Sequence, residues 1–305
     1  MNIPGASVKR ALLFAVCILT VTRLFAAGAQ GKAEEVRATR GNAADALGNM
    51  EEALAKQEED FSPEDEYFLG RSVSAVILER YRLYTANPGL TAYLNKICST
   101  LVINSPSPGL YNGYYVMILD SPEINAFAST GGHIFVTLGM VRIAGGEDML
   151  AAVIAHEIGH IQLRHSMQMI TEGRLYREMS AAAERARSLA NRADTQRLFD
   201  NSVRETVNTI LVNGYSRAQE FDADAFAAEL LTAAGYEPSG LIDTLRLLDQ
   251  NQPASAGGIN KTHPSPQLRI SNAEKNIAEY ARYGREDTGR FRTDRFDRTV
   301  KTGGR

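Results

Sequence analysis

The stretch Ala152–His165, AVIAHEIGHIQLRH, constrains the fold of this chain more than any other segment. Its apolar residues fall on nearly every side of a helical projection, the pattern of a helix buried all round. Yet it carries three of the chain's five histidines and a glutamate. Imidazoles and a carboxylate inside a core are costly unless each finds a partner. Residues four apart leave a helix on the same side, so His156 and His160 can aim ring nitrogens at one point, with Glu157 beside it. Two neutral imidazoles suit zinc, and the adjacent carboxylate can take a proton from water and pass it to a leaving amine. A metal there removes the burial problem. In a chain so poor in histidine, an accidental H-E-x-x-H is expected on the order of one time in a hundred or less.

A catalytic zinc usually has three protein ligands and one open position. The extended pattern H-E-x-x-H-x-x-G-x-x-H would need glycine and histidine at 163 and 166, where the chain has Leu163 and Ser166. A carboxylate from a second helix is the other common solution. The segment QEFDADAFAAELL offers Glu220, with Asp224 one turn later on the same side. Glu220 can bind the metal while Asp224 takes the remaining N–H of a ligand histidine and fixes its tautomer. An acidic solvent face explains that segment equally well by itself, and the pairing with HEIGH tips the balance toward a metal site. His165 reads as a structural residue.

Around these segments the chain reads as α+β, mostly helical. Ser62 and Pro63 suit the start of an amphipathic helix whose apolar positions run from Phe68 to Tyr84, broken at Asn87. A second helix covers Leu90 to Ile103 and buries Cys98. Two strand-like runs follow, Tyr114–Asp120 and His133–Val141, the second entered through Gly131 and Gly132. The segment from Ser166 to about Val212 is helical but sparse in apolar positions. Further helices are expected around QEFDAD, ending near Gly235, from Leu241 to Leu248, and after Pro266.

At the N-terminus, Lys9 and Arg10 precede the apolar run ALLFAVCILTV, and small residues follow at Ala27 and Ala29. This is the pattern of a secretory signal peptide over residues 1–29; the run is short of the roughly 20 residues a spanning helix needs. Its removal takes away three positive charges and no negative ones, moving the net charge from −3 to −6. A nucleic-acid surface is therefore not favoured. Only Cys98 would remain, so no intramolecular disulfide is expected. Residues 30–60 read as a linker or loosely docked helix, 61–283 as the catalytic domain, and 284–305 as a charged, solvated tail.

Taken in order, NAFASTGGHIFVTLGMV, HEIGH, QEFDADAFAAELL and THPSPQLRI resemble the zinc metallopeptidases grouped with HtpX, the CAAX prenyl endopeptidase and the periplasmic BepA and LoiP peptidases. The resemblance runs from about Ser62 to Tyr280 and is nearest the shorter, soluble LoiP-like branch. It implies a zincin-like α+β fold with a small sheet or hairpin edge beside the active-site helix. It also implies one Zn2+ per chain on His156, His160 and Glu220, with Glu157 as catalytic base and Asp224 behind the ligands. His263 and Arg269, in HPSPQLR, are placed near the zinc. His263 would stabilise the oxyanion or occupy the open position at rest, and Arg269 would supply positive charge to the intermediate. Asn125 and the strand residues His133, Ile134, Phe135 and Val136 would form an edge that binds extended peptide. From the residues alone, His133 is a strand histidine near the cleft and His263 a loop histidine.

The expected activity is a periplasmic zinc endopeptidase acting on unfolded, misfolded or misassembled envelope proteins, in peripheral association with the membrane or with outer-membrane assembly machinery. The rival is an envelope chaperone or assembly factor that keeps zinc for structure and cuts little. The 59 residues between HEIGH and Glu220 are long enough for a lid, with 170–205 the candidate segment.

Overall fold

A computed structural model describes residues 62–172, 214–251, 263, 266–280 and 289–301. The signal-peptide and linker segments, most of the candidate lid and residues 252–262 lie outside the described residues. The chain divides into two compact units. Of the described residues, the first holds 62–79 and 167–172, and the second holds 80–166 and everything from 214 on.

In the first unit, helix α1 spans Pro63–Arg80 and buries Phe68, Val73 and Ile77. It starts where Ser62 and Pro63 predict, the Ser62 carbonyl accepting from Glu66 N at 3.0 Å. It stops short of Tyr84 because the next residues have other partners. Asp120 N donates to Arg82 O and Tyr84 N donates to Ile118 O, both at 2.8 Å. That backbone joins a sheet.

The second unit begins there. Asn87 caps helix α2, Pro88–Ile103, by accepting from Leu90 N, and Pro88 sits where its missing N–H is harmless. Leu90, Tyr93, Leu94, Ile97, Cys98 and Leu101 are its buried residues, one continuous helical stripe. Strands β1 (Tyr115–Leu119), β2 (Ala126–Ser129) and β3 (His133–Thr137) form a sheet of order β1-β3-β2, parallel for β1–β3 and antiparallel for β2–β3. The outer edge of β1 is closed by residues 82–84 and by Asn95 of α2. The Asn95 amide donates to Val116 O at 2.8 Å and accepts from Val116 N at 3.0 Å.

Two strand expectations need correcting. The strand expected over His133–Val141 ends at Thr137, whose hydroxyl accepts from Met140 N and starts the short helix α3, Leu138–Ile143. More important for function, β3 is the central strand. His133, Ile134, Phe135 and Val136 pair with β1 on one side and with β2 on the other, so they cannot be a peptide-binding edge. The missing neighbour is β2, a four-residue run too short and too rich in Ala and Ser to show a strand pattern.

Helix α4, Glu147–Gln162, carries HEIGH and is buried along almost its whole length. It packs against helix α6 (Arg217–Ala233), helix α7 (Ser239–Gln250), α2 and β2. Past Gln162, Arg164 adopts a left-handed conformation (φ 57°) that turns the chain into helix α5, His165–Glu172. Helix α6 starts with a capping box, Ser216 with Gln219, and ends as predicted with Gly235 at positive φ. Helix α8 spans Pro266–Tyr280.

The segment read as a solvated tail instead includes helix α9, Gly289–Phe296, and a π-helical turn, Asp297–Lys301. Phe296 is 1% exposed and belongs to the core. Arg292 Nε lies 2.8 Å from Asp148, and Arg295 reaches Glu147 at 2.6 Å. A charge count could not show that these arginines meet acidic residues in the first turn of α4.

Candidate metal centre

The site is made where α4 and α6 cross. Gly159 permits the close approach: a Cβ there would lie 3.2–3.3 Å from Ala223, the residue before Asp224. With the helices this near, Glu220 in the first turn of α6 reaches the HEIGH face.

The Nε2 atoms of His156 and His160 face each other at 3.0 Å. Glu220 completes the group, with Oε1 3.5 Å from His160 Nε2 and Oε2 3.6 Å from His156 Nε2. His263 joins it, Nδ1 lying 2.8 Å from Glu220 Oε1 and 3.3 Å from His156 Nε2. One ligating atom from each of the four residues falls within 4.8 Å of the others, and all four residues are buried.

Behind the facing Nε2 atoms, the Nδ1 of each of these two histidines has its own partner. That of His156 lies 3.0 Å from Asp224 Oδ1, and that of His160 lies 2.9 Å from Nδ1 of His165. If both Nδ1 atoms carry protons, two bare Nε2 lone pairs confront one another across 3.0 Å. A cation between them resolves that repulsion. Glu157 Oε2 and His263 Nε2 are also buried without a hydrogen-bond partner. Two imidazole nitrogens and a carboxylate are a usual catalytic zinc set, so the residues present fit that ion.

Arg269, which the resemblance places near the ion as a source of positive charge, is paired with the carboxylates of α6. Its guanidinium donates to both oxygens of Asp224, at 2.7 and 2.6 Å, and its Nη1 lies 2.9 Å from Glu220. It balances the two carboxylates on α6.

These neighbours set the protonation preferences of the groups. Burial penalises the charge of Glu220, but His263 and Arg269 outweigh it and hold the carboxyl well below its usual range. Burial opposes ionisation of Asp224 too, and the Arg269 charge overrides it, leaving a value of about 2. Burial drives His160 well below the ordinary imidazole value, toward the neutral form that a metal requires. Glu157 is raised, chiefly by burial, against the pull of His263 and His156. A carboxylate with a raised pKa and an unpartnered oxygen can accept a proton and release it again.

Beside the cluster lies a small cavity lined by Val153, His156 and Glu157 of α4, by Leu241 and Leu245 of α7, and by His263. Its lining mixes apolar side chains of α4 and α7 with the polar groups of His156, Glu157, Thr244, His263 and Arg269.

Residues 88–277 match the model of peptidase family M48. The chain belongs to that family. Among curated relatives, the beta-barrel assembly-enhancing protease of Escherichia coli (strain K12) is 27% identical over 192 residues, 61% of this chain and 39% of the relative. The mitochondrial metalloendopeptidase OMA1 of Schizosaccharomyces pombe is 28% identical over 191 residues, 62% of this chain and 53% of the relative. A putative beta-barrel assembly-enhancing protease of Vibrio cholerae is 28% identical over 204 residues, 64% and 40% of the two chains. The chain therefore spans from 39% to 53% of the length of these relatives.

In this M48 chain the structure brings together His156, Glu157, His160, Glu220, Asp224, His263 and Arg269. His133–Val136 form the central strand and Asn125 directly precedes β2, with His133 Nδ1 3.3 Å from Thr130 O. Two contributors were missed. His165 contacts His160 directly, and Tyr215 stacks on its ring, centroids 3.9 Å apart and 16° from parallel. The only available hints were His165 just past the end of the motif helix and Tyr215 just before the Ser216 cap.

Proposed function

We propose that this M48 chain is a zinc endopeptidase that cleaves unfolded or misassembled proteins of the cell envelope. The observation that carries this reading is the convergence of three ligating side chains beside a buried carboxylate oxygen without a partner, Glu157 Oε2. His156, His160 and Glu220 would hold the ion. When bound, zinc supplies Lewis-acid chemistry, polarising a carbonyl and making water more acidic. Glu157 takes the proton from the attacking water and delivers it to the leaving amine. Asp224 holds the proton on His156 Nδ1, and Arg269 keeps Asp224 and Glu220 ionised in a buried setting.

His263 fits a fourth-ligand role better than that of an open oxyanion donor. It is 1% exposed and lies against Glu220, and its Nε2 is 3.7 Å from Glu157 Oε1. Access to the ion then requires His263 to move, which restrains an enzyme that recognises backbone with little sequence preference.

For peptide binding we assign the outer strand β2, since β1 is closed off and β2 packs on α4. All four residues of β2 are buried, so pairing there requires that edge to be uncovered. The signal-peptide pattern of residues 1–29 supports export to the periplasm. No helix among the described residues is long and apolar enough to cross a membrane. The names of the curated relatives from Escherichia coli and Vibrio cholerae, a beta-barrel assembly-enhancing protease and a putative one, support clients from outer-membrane assembly.

The test compares wild type with Glu157→Gln on casein, with zinc measured in both. Cleavage by the wild type and its loss by at least about a hundredfold in the variant, at equal zinc content, is expected. Zinc and casein binding without cleavage in either protein would replace this reading with the chaperone.

A further inference from the structure

We propose that His165 and Tyr215 are positioning residues that fix the tautomer and ring plane of His160, so that Nε2 is the bare nitrogen presented to the metal. The proposal rests on the zinc reading of the cluster.

His160 and His165 meet through their Nδ1 atoms at 2.9 Å. In such a pair one nitrogen donates and the other accepts. His160 Nε2 is the atom in the cluster, 3.0 Å from His156 Nε2 and 3.5 Å from Glu220 Oε1. The proton of His160 therefore belongs on Nδ1, and His165 Nδ1 is the acceptor. His165 carries its own proton on Nε2.

Tyr215 controls a different degree of freedom. Its ring lies nearly parallel on that of His160, and its hydroxyl is 2.7 Å from Ser166 Oγ. His160, His165, Ser166 and Tyr215 are all at most 4% exposed. The main chain builds this clamp from the segments that adjoin the two helices carrying His160 and Glu220. The left-handed turn at Arg164 folds His165 back beneath the end of α4, and Tyr215 directly precedes the α6 cap.

The two ligand histidines thus have unlike supports. His156 leans on a carboxylate, Asp224, whose charge Arg269 offsets. Glu157, Glu220 and Asp224 already place three carboxyls in this small buried space. A neutral imidazole acceptor orients His160 without adding a fourth.

The experiment uses the full chain and four variants. Asn can present its Oδ1 where His165 presents Nδ1, whereas Phe keeps bulk and loses the acceptor. Zinc affinity is measured by chelator competition, and the His160 tautomer by two-bond proton–nitrogen spectra of the metal-free and zinc-loaded wild type. His165→Phe is expected to weaken zinc binding ten- to a hundredfold, and His165→Asn to stay within about threefold of wild type. Tyr215→Leu should weaken binding, and Tyr215→Phe, which keeps the stacked ring, should largely retain it. His160 should carry its proton on Nδ1 in both forms of the wild type. Equal zinc affinity in His165→Phe and wild type, or a proton on His160 Nε2, would overturn the proposal. Equal losses in the Phe and Asn variants, tracking their metal-free melting temperatures, would reduce His165 to packing. Failure of the wild type to take up zinc would instead remove the zinc reading itself.

Discussion

Replacing Arg269 with Met tests whether the α6 carboxylates depend on one buried cation. Arg269 is 4% exposed, and Glu220 and Asp224 are fully buried. Three of its nitrogen–oxygen contacts lie between 2.6 and 2.9 Å. Met fills much of the same volume but leaves Asp224 with His156 and Glu220 with His263 as their remaining positive or donor partners. Removing one partner of a buried ion pair costs about 3–5 kcal/mol, a large part of a typical domain stability of roughly 5–15 kcal/mol. The metal-free protein should lose that amount. Zinc replaces part of the missing charge beside Glu220, so the zinc-loaded variant should lose less, and zinc should raise its stability more than that of wild type. The chain has no Trp, so urea unfolding is followed by far-UV circular dichroism, with and without zinc. Adding Asp224→Asn should cost less in the Met background than in wild type, because there it removes a carboxylate that has already lost its cation and leaves no arginine unpaired. A loss below about 1 kcal/mol in Arg269→Met, or strict additivity in the double variant, would refute the charge-balance argument.

The other predictions concern acid stability, helix approach and the C-terminal segment. The folded Asp224 carboxyl, at about 2, lies below its ordinary 3.8. Its contribution is therefore complete above the ordinary value and lost as pH falls through about 2. The shift corresponds to about 2 kcal/mol, so the stability gap between metal-free wild type and Asp224→Asn should narrow by that order between neutral pH and pH 2 in urea titrations. A gap independent of pH would contradict it. Gly159→Val places atoms against Ala223, where even a Cβ has only 3.2 Å to its carbonyl oxygen. It should push α6 outward and weaken zinc binding at least about tenfold by chelator competition, the lower bound for disturbed ligand support. Phe296→Ala should cost about 3–5 kcal/mol of unfolding free energy, as for a core aromatic. A solvated tail would give a change near zero.

Much of the His–Glu cluster was legible in the sequence because its parts are encoded locally. The i, i+4 spacing of His156 and His160 fixes their common face once the segment is helical, and the same holds for Glu220 and Asp224. The break at Asn87 and the stop at Gly235 act within a few residues, so the helix ends they mark were legible too. The sheet was not. β3 has an unbroken apolar run, and only long-range pairing decides that β1 and β2 flank it, which makes β2 an outer strand. Arg269 shows the same limit: its sequence neighbourhood promises a cation near the ion, while its partners 45 and 49 residues away make it a counter-charge.

The sequence by itself determined that a buried helix would carry two imidazoles and a carboxylate, and that a second helix could answer with Glu220 and Asp224. Tertiary structure alone decided that Gly159 lets those helices close to ligand distance, and that His165 and Tyr215 enclose His160. It also decided that Phe296, with Arg292 and Arg295, docks on the helix that carries HEIGH. Local spacing fixes which way a side chain leaves its own helix. What it meets depends on burial and charge contributed by residues far along the chain, and those exist only after the core has formed.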